Sequence, residues 1–220
     1  MESGMPNLKA RQKILEVGII PVVRASSADE ALAIVEAIQA GGLSILEITM
    51  TVPGAIKVIE AVANRYGNEV LLGAGTVLDP ETARTAILAG AEFIVTPALN
   101  LETVKLCKRY SKVIIPGTLT PTEILTAWEA GADFIKVFPC DSVGGPKYIR
   151  ALKGPFPQIE LIPTGGVNLT TAADFISAGS AALAVGSELV DKAAVASGNM
   201  EKVKQNASRF LEIVKMARGK

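Results

Sequence analysis
The chain has 220 residues, with Lys plus Arg and Asp plus Glu balanced at 22 each, so no long-range field draws it to nucleic acid or an anionic membrane. It contains no histidine, which excludes a Ser-His-Asp triad, a Cys-His pair and the commonest zinc sites, and leaves Lys, Glu, Asp, Arg and hydroxyls for any chemistry. Cys107 and Cys140 lie outside any paired-thiol motif, and no apolar run reaches the roughly 20 residues of a membrane span, so a soluble, cytoplasmic protein acting on small solutes is expected.

In chain order, residues 1–7 read as a leader and residues 8–17 as a short leading helix stopped at Gly18. Ile19 to Val23 follow as a first strand, closing on Arg24. Ser27-Ala28-Asp29-Glu30 is a capping-box pattern that opens a helix through Ala40. From there an Ala-Gly helix end is followed at once by an apolar strand four times: before SILEIT, EFIVTP, DFIKVFP and AALAVGS. These copies recur about every 40 to 50 residues, the length of two strand-helix units. Further strands fall at Val70 to Gly73, Val113 to Pro116 and Glu160 to Pro163, making eight. Asp79-Pro80 and Thr120-Pro121-Thr122-Glu123 are helix starts, Pro53, Asn100 and Asn168 mark others, and residues 199–218 form a closing amphipathic helix. Strands too apolar to have a wet face, alternating with helices, predict one α/β domain over residues 1–220: a (β/α)8 TIM barrel with a leading helix, against the alternative of a doubly wound open sheet.

In such a barrel the working residues sit at the C-terminal ends of the strands. Two single charges interrupt apolar strand runs, Glu47 in SILEIT and Lys136 in DFIKVFP. They fall on the second and sixth strands, which face each other across a ring of eight. Aligning the Ala-Gly repeats without gaps sets Leu46 level with Lys136, and counting Gly42 as an extra loop residue restores Glu47. A buried ion pair is the plainer alternative. Gly165 and Gly166 after the seventh strand, and Gly186 and Ser187 after the eighth, fall where these barrels bind phosphate, because glycine lets backbone N–H groups approach an anion.

GAGT at 73–76, IVTP at 94–97, IPG at 115–117, KVFP at 136–139, GGPKYI at 144–149 and PTGGV at 163–167 resemble, in order, the 2-keto-3-deoxy-6-phosphogluconate aldolase family, whose members are also described as acting on 4-hydroxy-2-oxoglutarate. The resemblance implies a metal-free and cofactor-free Schiff-base aldolase, a homotrimer, with Lys136 as the Schiff-base lysine and Glu47 as the general acid-base residue. It implies that Thr76, Pro97, Phe138 and Thr164 line the pyruvate end and that Gly165, Gly166, Gly186 and Ser187 hold phosphate. Members carry an arginine for the substrate carboxylate where this chain has Thr51, and Arg24 is the candidate substitute. A phosphate-binding barrel isomerase or epimerase, with Glu47 as base, and a non-catalytic sugar-phosphate binding barrel are the rival readings.

Overall fold
The computed structural model describes residues 6–219. Residues 1–5 of the expected leader lie outside the described residues, and Pro6 and Asn7 already belong to the first helix, α1 (Pro6–Val17). Strands and helices then alternate: β1 (Ile19–Val23), α2 (Ala28–Ala40), β2 (Ile45–Thr49), α3 (Ala55–Tyr66), β3 (Leu71–Gly75), α4 (Pro80–Leu88), β4 (Phe93–Val95) and α5 (Leu101–Arg109). They continue through β5 (Val113–Ile115), β6 (Gly117–Thr118), α6 (Pro121–Glu129), β7 (Ile135–Val137), α7 (Pro146–Lys153), β8 (Leu161–Pro163), α8 (Ala172–Ser177), β9 (Leu183–Val185), α9 (Lys192–Ala196) and α10 (Met200–Ala217). The caps act as their residue types require. Asp79 and Asn100 accept from the backbone N–H three residues on, and Thr120 with Glu123 completes a capping box. Asn168 instead caps a turn, accepting from the N–H groups of Thr170 and Thr171, and α8 starts only at Ala172.

All strand pairs are parallel, in a six-stranded sheet ordered β5-β4-β3-β2-β1-β9 and a three-stranded sheet ordered β6-β7-β8. The fifth strand position is split at Pro116. Proline has no N–H for the ladder, and Gly117 N–H turns to the Thr96 hydroxyl at 3.1 Å, while the Pro116 carbonyl accepts from Lys136 N–H at 2.9 Å. The chain thus passes from β4 as neighbour to β7. At the other margin Thr164 bridges Ala184, and Ala181 N–H donates to the Leu161 carbonyl at 2.9 Å. The result is an α/β fold with a curled parallel sheet. Sequential neighbours, without the order reversal of a doubly wound sheet, argue against that alternative.

Strand residues divide by parity between two cores. Ile19, Val23, Leu46, Ile48, Ile94, Ile114, Ile135, Val137, Leu183 and Val185 pack with α2 to α10. Ile20, Val22, Ile45, Phe93, Val95, Val113, Ile115, Phe134, Ile162 and Ala184 face the other way, against Ala10 and Ile14 of α1 and no other helix. This inner face is the one on which polar side chains could meet, with α1 covering one end of it. Arg218, just past α10, secures that cover: its guanidinium donates to the carbonyls of Leu15 at 2.6 Å, Glu16 at 3.2 Å and Ala181. The first two belong to the last turn of α1, whose carbonyls have no helical partner. Arg218→Ala is expected to cost about 2 kcal/mol and lower Tm by about 4–8 °C in calorimetry, with no change in any catalytic constant.

Candidate active site
Glu47 shares the parity of Ile45 and pairs in register with Val22 and Gly73, so it lies on the inner face; Leu46 packs outward among the helices. That settles the register left open by the repeat alignment. The repeat's glycine is Gly42, not Gly41: Gly42, Gly90, Gly131 and Gly179 all hold left-handed φ, and the N–H after each donates five residues back, Leu43 to Ile38 as Ala132 to Ala127, which sets Glu47 level with Lys136. Lys136 shares the parity of Phe134 and pairs with Gly117 and Ile162, which puts it on the same face. Glu47 is 2 % exposed and Lys136 7 %.

These two groups interact without forming a direct ion pair. Glu47 Oε2 is buried with no hydrogen-bond partner. Burial pushes the Glu47 carboxyl above the usual carboxylate range, and the attraction of Lys136 and Arg24 only partly offsets it. Burial likewise holds the Lys136 amine below its ordinary value, with Glu47 pulling it up and Arg24 pushing it down. In both cases desolvation exceeds attraction, so each group is driven toward its neutral form. The Lys136 Nζ stands 4.9 Å from the centroid of the Phe138 ring. A retained structural ion pair would need direct contact and satisfied oxygens; neither is present here.

Beside this pair opens a cavity of about 330 Å³, lined by Arg24, Phe138, Asp141, Thr164, Gly165, Gly166, Gly186 and Ser187 among others. Of the residues singled out in the sequence, seven therefore meet in one place. Gly165 and Gly166 have φ of +97 and +72, which L side chains rarely adopt, and Asp141 packs against both. Among the described residues, the N–H groups of Gly165, Gly166, Gly186 and Ser187 donate to no backbone carbonyl, and all four residues line the cavity. A Cβ on Gly186 would lie 3.3 Å from the Arg24 guanidinium, whose charge also acts on Glu47 and Lys136, so Arg24 stands between the glycine loops and the buried pair. Thr164 lines the same space, and its buried hydroxyl has no hydrogen-bond partner.

Thr51, Thr76 and Pro97 lie outside that lining. Thr49 spends its one hydroxyl proton on the Val23 carbonyl at 3.1 Å, so the 2.7 Å contact between Thr49 and Thr51 has Thr51 as donor. Thr51 then keeps only acceptor capacity, unsuited to a carboxylate. Thr76 holds φ 55, a backbone region that costs a β-branched residue about 1–3 kcal/mol. Pro97 packs its carbonyl against Gly117. Two further features went unread in the sequence. A side chain at Gly73 would run into the Phe93 ring, and one at Gly75 into the Glu47 carboxyl. The signal was there: glycines two apart on one strand share a face.

Comparisons with known proteins cover nearly the whole chain. A family model described as KDPG and KHG aldolase matches residues 10–206. The chain is 36% identical over 205 residues to a 2-dehydro-3-deoxy-phosphogluconate aldolase of Haemophilus influenzae, covering 93% of this chain and 96% of that protein. It is 37% identical over 200 residues to a 2-dehydro-3-deoxy-6-phosphogalactonate aldolase of Escherichia coli K12, covering 90% and 95%. Among solved structures, KDPG aldolase from Legionella pneumophila, with pyruvate captured at low pH as a covalent carbinolamine intermediate, superposes with a TM-score of 0.84 at 29% identity, covering 90% of this chain and 96% of that one. Similarity along nearly the whole chain, in both sequence and fold, places it in one group: this chain belongs to the KDPG and KHG aldolase family.

Proposed function
We propose that the chain is a class I aldolase that cleaves 2-keto-3-deoxy-6-phosphogluconate to pyruvate and glyceraldehyde 3-phosphate, and also 4-hydroxy-2-oxoglutarate to pyruvate and glyoxylate. The observation that carries this reading is a buried amine held below its ordinary pKa beside a buried, unpartnered carboxyl, next to a cavity rimmed by free amides. Neutral Lys136 attacks C2 of the keto acid, and loss of water leaves an iminium that accepts electrons. Glu47 takes the proton from the C4 hydroxyl as the C3–C4 bond breaks, its electrons passing into the enamine. The same carboxyl returns a proton to C3, and water then attacks the iminium to release pyruvate and free lysine. An epimerase needs Glu47 alone, and a binding barrel needs neither group; a depressed lysine pKa gives each of them nothing.

Arg24 binds the substrate carboxylate in this scheme, since Thr51 has no proton to offer. Gly165, Gly166, Gly186 and Ser187 hold the phosphate through their N–H groups, and Thr76, Pro97, Phe138 and Thr164 enclose the pyruvate part. Arg24→Ala is expected to raise KM for the 2-keto acid roughly 10- to 100-fold, the loss of one charged hydrogen-bonded contact, in steady-state assays. An unchanged KM removes Arg24 from the carboxylate.

We also read the two sheets as one closed eight-stranded barrel in a single domain, joined through Pro116 on one side and the Thr164–Ala184 bridge on the other. The homotrimer and the cytoplasmic location belong to the same proposal. Among the described residues no helix is long and apolar enough to cross a membrane, and both cysteines are free. The function is tested by following pyruvate release from 2-keto-3-deoxy-6-phosphogluconate, its galactonate epimer and 4-hydroxy-2-oxoglutarate. Release from 2-keto-3-deoxy-6-phosphogluconate supports the reading, release from the galactonate epimer alone overturns the substrate, and release from none of the three removes the aldolase.

A further inference from the structure
Strand β3 ends in Gly73-Ala74-Gly75, followed by Thr76. The backbone does not call for glycine at 75: its φ is not in the left-handed region, whereas that of the next residue, Thr76, is 55. If this turn selected glycine for conformational freedom, glycine would stand at 76. Space is the requirement instead. Gly75 pairs in register with Thr49, two residues beyond Glu47 on the neighbouring strand and on the same face. A Cβ built on Gly75 falls 2.7 Å from Glu47 Cδ and closer still to Oε1. The carboxyl therefore lies across β3 in the room a side chain would take. Gly73, one inner-face step earlier, leaves its room to the Phe93 ring, which pairs beside it.

We infer that Gly75 is a positioning residue for the aldol cleavage: its missing side chain is the seat of the Glu47 carboxyl, and sets where that group meets the C4 hydroxyl. The inference rests on the aldolase reading above. It also explains how Glu47 stays unbonded to Lys136 while buried at its side, because the carboxyl is seated over β3 instead of being drawn onto the amine. Because the colliding atoms are the far end of a flexible side chain, a methyl at 75 displaces the carboxyl and not the fold. Displacement by about 1 Å is enough to cost roughly 10²-fold in rate.

The test is a double-mutant cycle. Gly75→Ala is expected to lower kcat for cleavage by roughly 10²-fold, with KM for the keto acid changed little and pyruvate still trapped on Lys136 by borohydride. In a Glu47→Gln background, where the acid-base group is already gone, the same change is expected to cost no more than about twofold. Equal losses in the two backgrounds, or an unchanged kcat for Gly75→Ala alone, would overturn the inference. If Gly75→Ala does not fold, the comparison moves to Glu47→Asp, whose carboxyl stops one methylene short of β3. There the added methyl is expected to fold and to be neutral for turnover. Failure to fold in that background means that something other than the carboxyl fills the space, which also overturns it. Absence of trapped pyruvate in the unaltered chain would instead remove the aldolase reading, so the two failures are distinguishable.

Discussion

Lys136→Met is expected to lower kcat for cleavage by roughly 10⁴-fold or more while leaving the protein folded. Methionine replaces the apolar stem of lysine and stops one atom short of the amine, and it removes a charge whose burial is unfavourable, so the site loses its nucleophile while most of its packing stays. One electrostatic consequence is specific. Lys136 is the first of the two cations holding the Glu47 carboxyl down against burial, so in the variant that pKa climbs further. A carboxyl whose folded pKa lies above its unfolded value binds more protons when folded. Its contribution to stability is full below the ordinary carboxyl value of 4.5 and is lost as pH rises through the raised folded value. Thermal melts of Lys136→Met against the unaltered chain should therefore diverge as pH increases, the variant losing more. A variant that keeps its turnover would show that the amine is no nucleophile.

Glu47→Gln is expected to cost roughly 10²- to 10⁴-fold in kcat, the usual weight of a general acid-base group, while pyruvate still adds to Lys136. The pH dependence of that addition separates the roles of the neighbours. The Glu47 charge favours the ammonium form of Lys136, so its removal lowers the amine's pKa further and moves the rising limb of the trapping profile to lower pH. Arg24 acts in the opposite sense, and Arg24→Ala should move the limb to higher pH. Shifts of the same sign in both variants would mean that the lysine does not titrate under these two charges.

Much of this site can be read from residue types. A lone Lys136 and a lone Glu47 stand out because each is the one charge in its strand, flanked by Ile135 and Val137 or by Leu46 and Ile48, and the glycine loops stand out because they follow adjacent strands. Helix starts at Asp79, Asn100 and Thr120 are local chemistry, settled within four residues, and they form as read. What could not be read is whatever depends on a partner strand. The break at Pro116 follows from which neighbour each half of the strand bonds, a choice made by residues near 96 and 136. The face of Glu47 turned on which of two glycines ends α2: Gly42, not Gly41, holds the left-handed φ shared with Gly90, Gly131 and Gly179, and that fixes the parity of all β2. The seat at Gly75 was hidden for the same reason: a glycine shows as an absence, and what fills it comes from the strand alongside.

The central claim is that Lys136 forms an imine with a 2-keto acid, and the most direct measurement is borohydride reduction of the protein in the presence of pyruvate, with intact-mass and peptide analysis. The account predicts one pyruvate-derived adduct per chain, on the peptide carrying Lys136, absent from Lys136→Met and unaffected by chelators. A folded protein that acquires no adduct, or acquires it on another lysine, would contradict it.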